Sequence, residues 1–154
     1  MKNVLELANQ LETFIPMAEQ RNERVSQASV GWHIAHALLA IDKSVEALGK
    51  SQAADFKPGF SFWKMIVLLT GRIPRGKAKS PKSVVPENEV TAQQLKHQMS
   101  AVKHQILRLN SLPAYTFFRH PMFGDLRLKT AKKFLCIHTR HHLAIIQDIV
   151  GELR

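Results

Sequence analysis

The chain reads as an all-α protein: a four-helix bundle with a short extra helix and a long basic loop between the second and third long helices. Three observations carry this reading. Apolar residues recur at helical spacing in four long segments. Ser, Thr and Gly stand where such helices need caps and stops. No segment alternates polar and apolar residues in a way that marks a strand. At 154 residues the chain suits a single domain, residues 1–154, with a core that needs no staples.

Val4, Leu7, Ala8, Leu11, Phe14, Ile15 and Ala18 place a first helix from about Asn3 to Asn22. The apolar pattern runs past Pro16, so the proline is expected to bend this helix rather than end it. Ser26 or Ser29 can cap a second helix carrying Val30, Ile34, Ala37, Leu38, Ile41, Val45 and Leu48, with a stop near Gly49. Asp55–Gly59 is a loop. Phe60–Thr70 is a short apolar helix expected to cover one end of the core, with Trp32, Phe62 and Trp63 as packing residues. A basic, Pro-rich loop runs to about Glu89. Thr91 caps a third long helix with the stripe Leu95, Met99, Val102, Ile106 and Leu109, leaving His97 and His104 on its outer face. The last helix spans about Leu128 to Leu153.

That last helix holds the most informative residues. Its apolar stripe, Ala131, Phe134, Leu135, Ile145, Ile146 and Ile149, includes His138 and His142, whose four-residue spacing stacks the two rings on one face. His141 falls to one side. A buried imidazole needs a partner for each ring nitrogen, and a shared metal ion meets that need for two rings at once. Further ligands in a bundle come from facing helices. The second helix offers His33 and His36, and helical phase alone favours His33.

Composition narrows the classes. The 45% hydrophobic and 22% charged content is that of a globular chain. No apolar run reaches the ~20 residues that cross a bilayer, and the first residues lack the apolar core of a signal peptide. The single cysteine, Cys136, excludes an internal disulfide framework, fits a reducing cytoplasm, and by helical phase reads as a surface or interface thiol. The net charge of +10 implies affinity for anions. It gathers in Arg72–Lys82 and in Lys129, Lys132 and Lys133, each read as a solvated loop or helix face. No aromatic interleaving or helix-turn-helix pattern turns this basicity into base recognition.

The order of these motifs resembles the DinB/YfiT-like superfamily, helical bundles with a metal held by three histidines. Ser29-Val-Gly-Trp-His-Ile-Ala-His36 and His138-Thr-Arg-His-His142 fit its pattern of a capping Ser or Thr, a histidine seven residues later, and a His-x-x-x-His pair on the last helix. His120-Pro-Met-Phe-Gly-Asp-Leu126, Ile137–Leu143 and Gly71–Ala78 are similar to a branch carrying HPxFGxL and HxxHHL motifs. The resemblance implies His36, His138 and His142 as ligands of a divalent ion, zinc or nickel foremost, with His33 in support and His120 shaping the turn or lining the site.

Three neutral imidazoles leave an ion's charge uncompensated and a position open, so a bound water or thiol would lose its proton more readily. The resemblance implies low-molecular-weight-thiol transfer for some relatives. Such thiols are anionic and would be drawn to a basic rim. Asp42 and Asp148 lie off the histidine faces, so no carboxylate is placed as a general base, which disfavours hydrolysis more than thiol transfer. Two other readings stand beside this one: a non-catalytic metal-binding or structural bundle, expected as a homodimer through its helix faces, and a basic nucleic-acid-associated protein.

Overall fold

The computed structural model describes residues 3–76, 82–86 and 89–152. Its five helices are α1 (Val4–Glu12), α2 (Val30–Lys50), α3 (Phe62–Thr70), α4 (Ala92–Ser111) and α5 (Leu128–Glu152), and a two-stranded hairpin, β1 (Phe117–His120) and β2 (Gly124–Arg127), precedes α5. Residues 77–81, in the basic loop, and Leu153 lie outside the described residues.

Local chemistry sets the helix starts. Asn3 and Glu6 form a reciprocal capping box at α1, and Thr91 and Gln94 form another at α4. Ser29, rather than Ser26, caps α2 by accepting from the Trp32 amide at 3.2 Å. The four long helices bury one continuous core, in which Leu7, Leu11, Leu38, Ile41, Leu95, Ile106 and Ile146 are sealed from solvent. Both α1 and α2 pack on α4 and on α5. Around the bundle the order is therefore α1, α4, α2, α5, and the consecutive helices α1 and α2 stand diagonally across it. This is the helical bundle that the periodicity predicts, without simple up-down-up-down order.

Several expectations are corrected. The first helix ends at Glu12, and residues Ile15–Met17 form a separate 3₁₀ turn with Pro16 in its first positions. Proline has no N–H to continue the α-helical ladder and disfavours α geometry in the residue before it. The apolar pattern continues because the turn still buries Ile15 and Ala18. The second helix, by contrast, ends at Lys50 with Ser51 as its C-cap, one residue past the stop expected near Gly49. Of α3 only Val67 is buried, while Phe60, Phe62, Trp63, Met65 and Leu69 are exposed. The short helix leans on α5 by one edge and does not cap the core. Cys136 is buried at 6% exposure, because α5 is covered on more than one side, by α1 and by α2.

A small hairpin, not expected from the sequence, is added to the helical bundle. Phe117 pairs with Arg127, Phe118 with Leu126, Arg119 with Asp125 and His120 with Gly124. Residues 121–123 form its loop, and Gly124 closes it at φ 69°, a left-handed conformation that glycine adopts without steric cost. Asp125 holds it in place: its carboxylate accepts from Arg119 Nε at 2.8 Å and Nη2 at 3.2 Å, and from the Lys57 amide at 2.8 Å.

Leu38 lies at the centre of α2 with none of its surface exposed. Leu38→Ala is expected to cost about 2–5 kcal/mol through lost burial and a residual cavity, read as a lower urea midpoint with the slope unchanged.

Candidate metal centre

The N-terminal turns of α2 carry Trp32, His33 and His36 to the middle of α5, which presents His138, His141 and His142. The start of α2 is fixed by more than its cap. The Gly31 amide donates to the Ala18 carbonyl at 2.8 Å, and a Cβ on Gly31 would stand 3.0 Å from that oxygen and 3.1 Å from the Val90 carbonyl. Only a residue without a side chain lets the helix approach both segments so closely.

One ring nitrogen from each of His36, His138 and His142 lies within 4.8 Å of the other two, a cluster that can hold a metal ion. The ring centroids are 4.6 Å apart for His36–His142, 4.6 Å for His138–His142 and 5.1 Å for His36–His138. The register set by Ser29 places His36, not His33, in the cluster, contrary to the helical-phase argument. The phase argument fails because both histidines are buried, at 4% and 2% exposure. So close to the helix start, His36 faces α5 and the segment at Val84 rather than the main core stripe.

The surroundings orient the rings. His36 Nδ1–H donates to the Val84 carbonyl at 2.7 Å. A carbonyl only accepts, so the proton sits on Nδ1 and the Nε2 lone pair is free, the arrangement usual for metal-binding histidines. Trp32 stacks on the same ring at 5.0 Å and 11°, so it packs, as expected, but against the site. His142 Nδ1 and His33 Nδ1 share a hydrogen bond of 3.0 Å, and His33 Nε2 and Ser26 Oγ share one of 2.9 Å. His33 therefore stands behind the cluster as a support. His138 differs: its Nδ1 is sealed in protein and has no hydrogen-bond partner, alone in this among the buried side-chain N and O atoms of the described residues. An orphaned buried polar atom costs about 1–3 kcal/mol. A bound ion would meet that need if Nδ1 is the ligating nitrogen, and the three residues fit one.

The cluster opens on a cavity of about 530 Å³. Its wall is apolar along Ala40, Ile73, Val84, Phe118, Phe123, Phe134 and Ile145, and six imidazoles line it: His33, His36, His120, His138, His141 and His142. Lys43, Arg75 and Arg119 also reach it, whereas no Asp or Glu is among the described residues of the wall. The carboxylates that pair with these cations, Glu46, Asp148 and Asp125, stand outside the lining. Asp42 and Asp148 are thus off the site, as their spacing suggests. His97 and His104 are exposed on α4, and Lys129 and Lys133 on α5.

Burial keeps these rings neutral. Desolvation, followed by the charges of His36, His141 and Arg75, lowers His33 to about 4. Desolvation lowers His120 to about 4. His138 and His142 fall well below the usual 6.5, first through burial and then through neighbouring imidazoles. His36 and His141 are lowered by burial too, each opposed by a backbone carbonyl, Val84 and Ile73 respectively.

Sequence reasoning missed Arg119, Lys43 and the Phe118–Phe123–Phe134 wall as site residues. The His120-Pro-Met-Phe-Gly motif was the one signal that led toward them. Among the described residues no helix is long and apolar enough to cross a membrane. No family model, curated protein or solved structure matches the chain.

A group whose pKa is lower in the folded state binds fewer protons there than when unfolded, so its stabilisation is complete above 6.5 and is lost as pH falls. The metal-free chain should therefore lose stability between pH 6.5 and about 4, the window set by His33 and His120. Urea midpoints measured across that range should drop steeply; a flat profile would show that these imidazoles are solvated.

Proposed function

We propose that the chain is a divalent-metal-dependent enzyme of DinB/YfiT-like type that holds zinc or nickel on His36, His138 and His142 and transfers a low-molecular-weight thiol. The observation that carries this reading is a three-histidine cluster at the base of a cavity with cations and no carboxylate on its described wall. When bound, such an ion supplies Lewis acidity, easing the loss of a proton from a thiol or water that reaches it.

The chain's own residues do the rest. His36 presents its Nε2 lone pair because Val84 holds the proton on Nδ1. If His142 presents Nε2 to the ion in the same way, its proton would sit on Nδ1 and be donated to His33 Nδ1, and His33 Nε2–H would donate to Ser26 Oγ. This relay fixes the angle of the His142 ring and strengthens it as a donor to metal. Lys43, Arg75 and Arg119, each also paired with a carboxylate outside the lining, offer N–H donors to an anionic thiol in the cavity. The apolar part of the wall accommodates the carbon frame of the group that receives the sulfur. Hydrolysis is less well served, since no carboxylate is placed to accept a proton from water.

Elemental analysis of untagged protein tests the reading. About one zinc or nickel per chain is expected, and loss of the ion in each of His36→Ala, His138→Ala and His142→Ala. His33→Ala should keep the ion with affinity weakened about 10–100-fold, the usual effect of removing a supporting hydrogen bond. Wild-type protein that neither carries metal nor takes it up on reconstitution would end this reading.

A further inference from the structure

His120 stands apart from the other imidazoles of the cavity. It closes strand β1 and lines the cavity opposite the cluster on α2 and α5. Its Nδ1 lies 3.2 Å from the Met122 amide and 3.2 Å from the Phe123 amide, and both backbone N–H groups donate to it. An amide N–H cannot accept, so Nδ1 must offer its lone pair and the ring proton must sit on Nε2. This is the opposite tautomer to His36, which donates through Nδ1. The ring cannot turn away, because Phe123 stacks on it at 4.3 Å and Phe134 meets it edge-on at 4.8 Å.

The Nε2–H makes no hydrogen bond among the described residues, yet it is not among the sealed, unpartnered atoms, of which His138 Nδ1 is the single case. It therefore keeps accessible surface, on a ring that lines the cavity. A histidine with a free Nε2 lone pair could serve as a fourth ligand or as a proton acceptor. This one can do neither while its loop holds it, and it can only donate. Burial, which lowers it to about 4, keeps it neutral through the physiological range, so the donor is fixed and uncharged.

We infer that His120 is a ligand-binding residue whose Nε2–H donates to an oxygen of the substrate, and that this substrate is an organic oxyanion with an apolar body. Arg119, the preceding residue on β1, also reaches this cavity with its guanidinium paired to Asp125, and Phe118 and Phe123 supply the apolar contact. The inference rests on the cavity being the ligand site of the proposed enzyme, but it does not require a metal.

The probe is benzoate, added to the ¹⁵N-labelled full chain in zinc-loaded form and after dialysis against a chelator. Two-bond ¹H–¹⁵N correlation of the imidazoles should show His120 with a bare Nδ1 and a protonated Nε2, and benzoate should move the Nε2 resonance in both forms. His120→Asn places an acceptor near the two amides but has no Nε2–H. It should keep the metal and the Met122 and Phe123 amide shifts, and bind benzoate about tenfold more weakly, the loss of one hydrogen bond to a charged acceptor. Should that variant lose the hairpin, the wild-type spectra decide. A proton on Nδ1, an Nε2 resonance unmoved by benzoate, or equal benzoate affinity in a folded His120→Asn would each overturn the inference. Metal uptake with an unmoved His120 would overturn this inference alone and leave the metal reading intact. A benzoate-shifted His120 in a chain that takes up no metal would do the reverse.

Discussion

Six imidazole rings gathered at one cavity must stay neutral, and their nitrogens must be matched to donors and acceptors of the right kind. The site's architecture answers that constraint. Charged imidazoles at these distances would repel one another across a poorly solvated space, so the cluster persists because burial removes the protons and fixed acceptors and donors choose the tautomers. The Val84 carbonyl does so for His36 and the Met122 and Phe123 amides for His120, while His33 and Ser26 supply hydrogen-bond partners behind His142. His138 alone has a sealed nitrogen without a hydrogen-bond partner among the described residues.

Two scaffolds of different stiffness meet at this cavity. The ring-bearing turns of α2 and α5 belong to the bundle core, where neighbouring residues are sealed in contact with three other helices. The opposite wall is a hairpin of two four-residue strands, too small to persist alone. Asp125 compensates by bonding both to Arg119 across the hairpin and to the backbone of Lys57. The Thr116 carbonyl accepts from the Leu128 amide at 2.9 Å, joining the hairpin to the start of α5.

How much of this was legible in the sequence follows the range of the interactions. The long helices and their caps are short-range features, and the stripes of α2, α4 and α5 were readable residue by residue. So was the pairing of His138 with His142, a matter of one helical turn. The choice of His36 over His33 depended on where the helix starts, which the Ser29 motif gave and phase did not. The hairpin was illegible because its strands show no alternation and its anchor joins Asp125 to a residue 68 positions earlier. Cys136 was misplaced because periodicity describes a helix with one buried face, whereas α5 has more. The exposure of Phe62 and Trp63 ran against composition, since nothing local says that an apolar helix will meet its neighbours along one edge only.

The bond from His36 to Val84 has a consequence for how the site can change over time. The acceptor is a main-chain carbonyl, which every amino acid supplies. Position 84 is therefore free to drift in identity while its hold on the ring stays the same. Length is another matter. Adding or deleting one residue right beside Val84, within residues 82–86, would slide a different carbonyl past His36, or none. This short stretch can thus look unconstrained in composition and still be constrained in its count of residues.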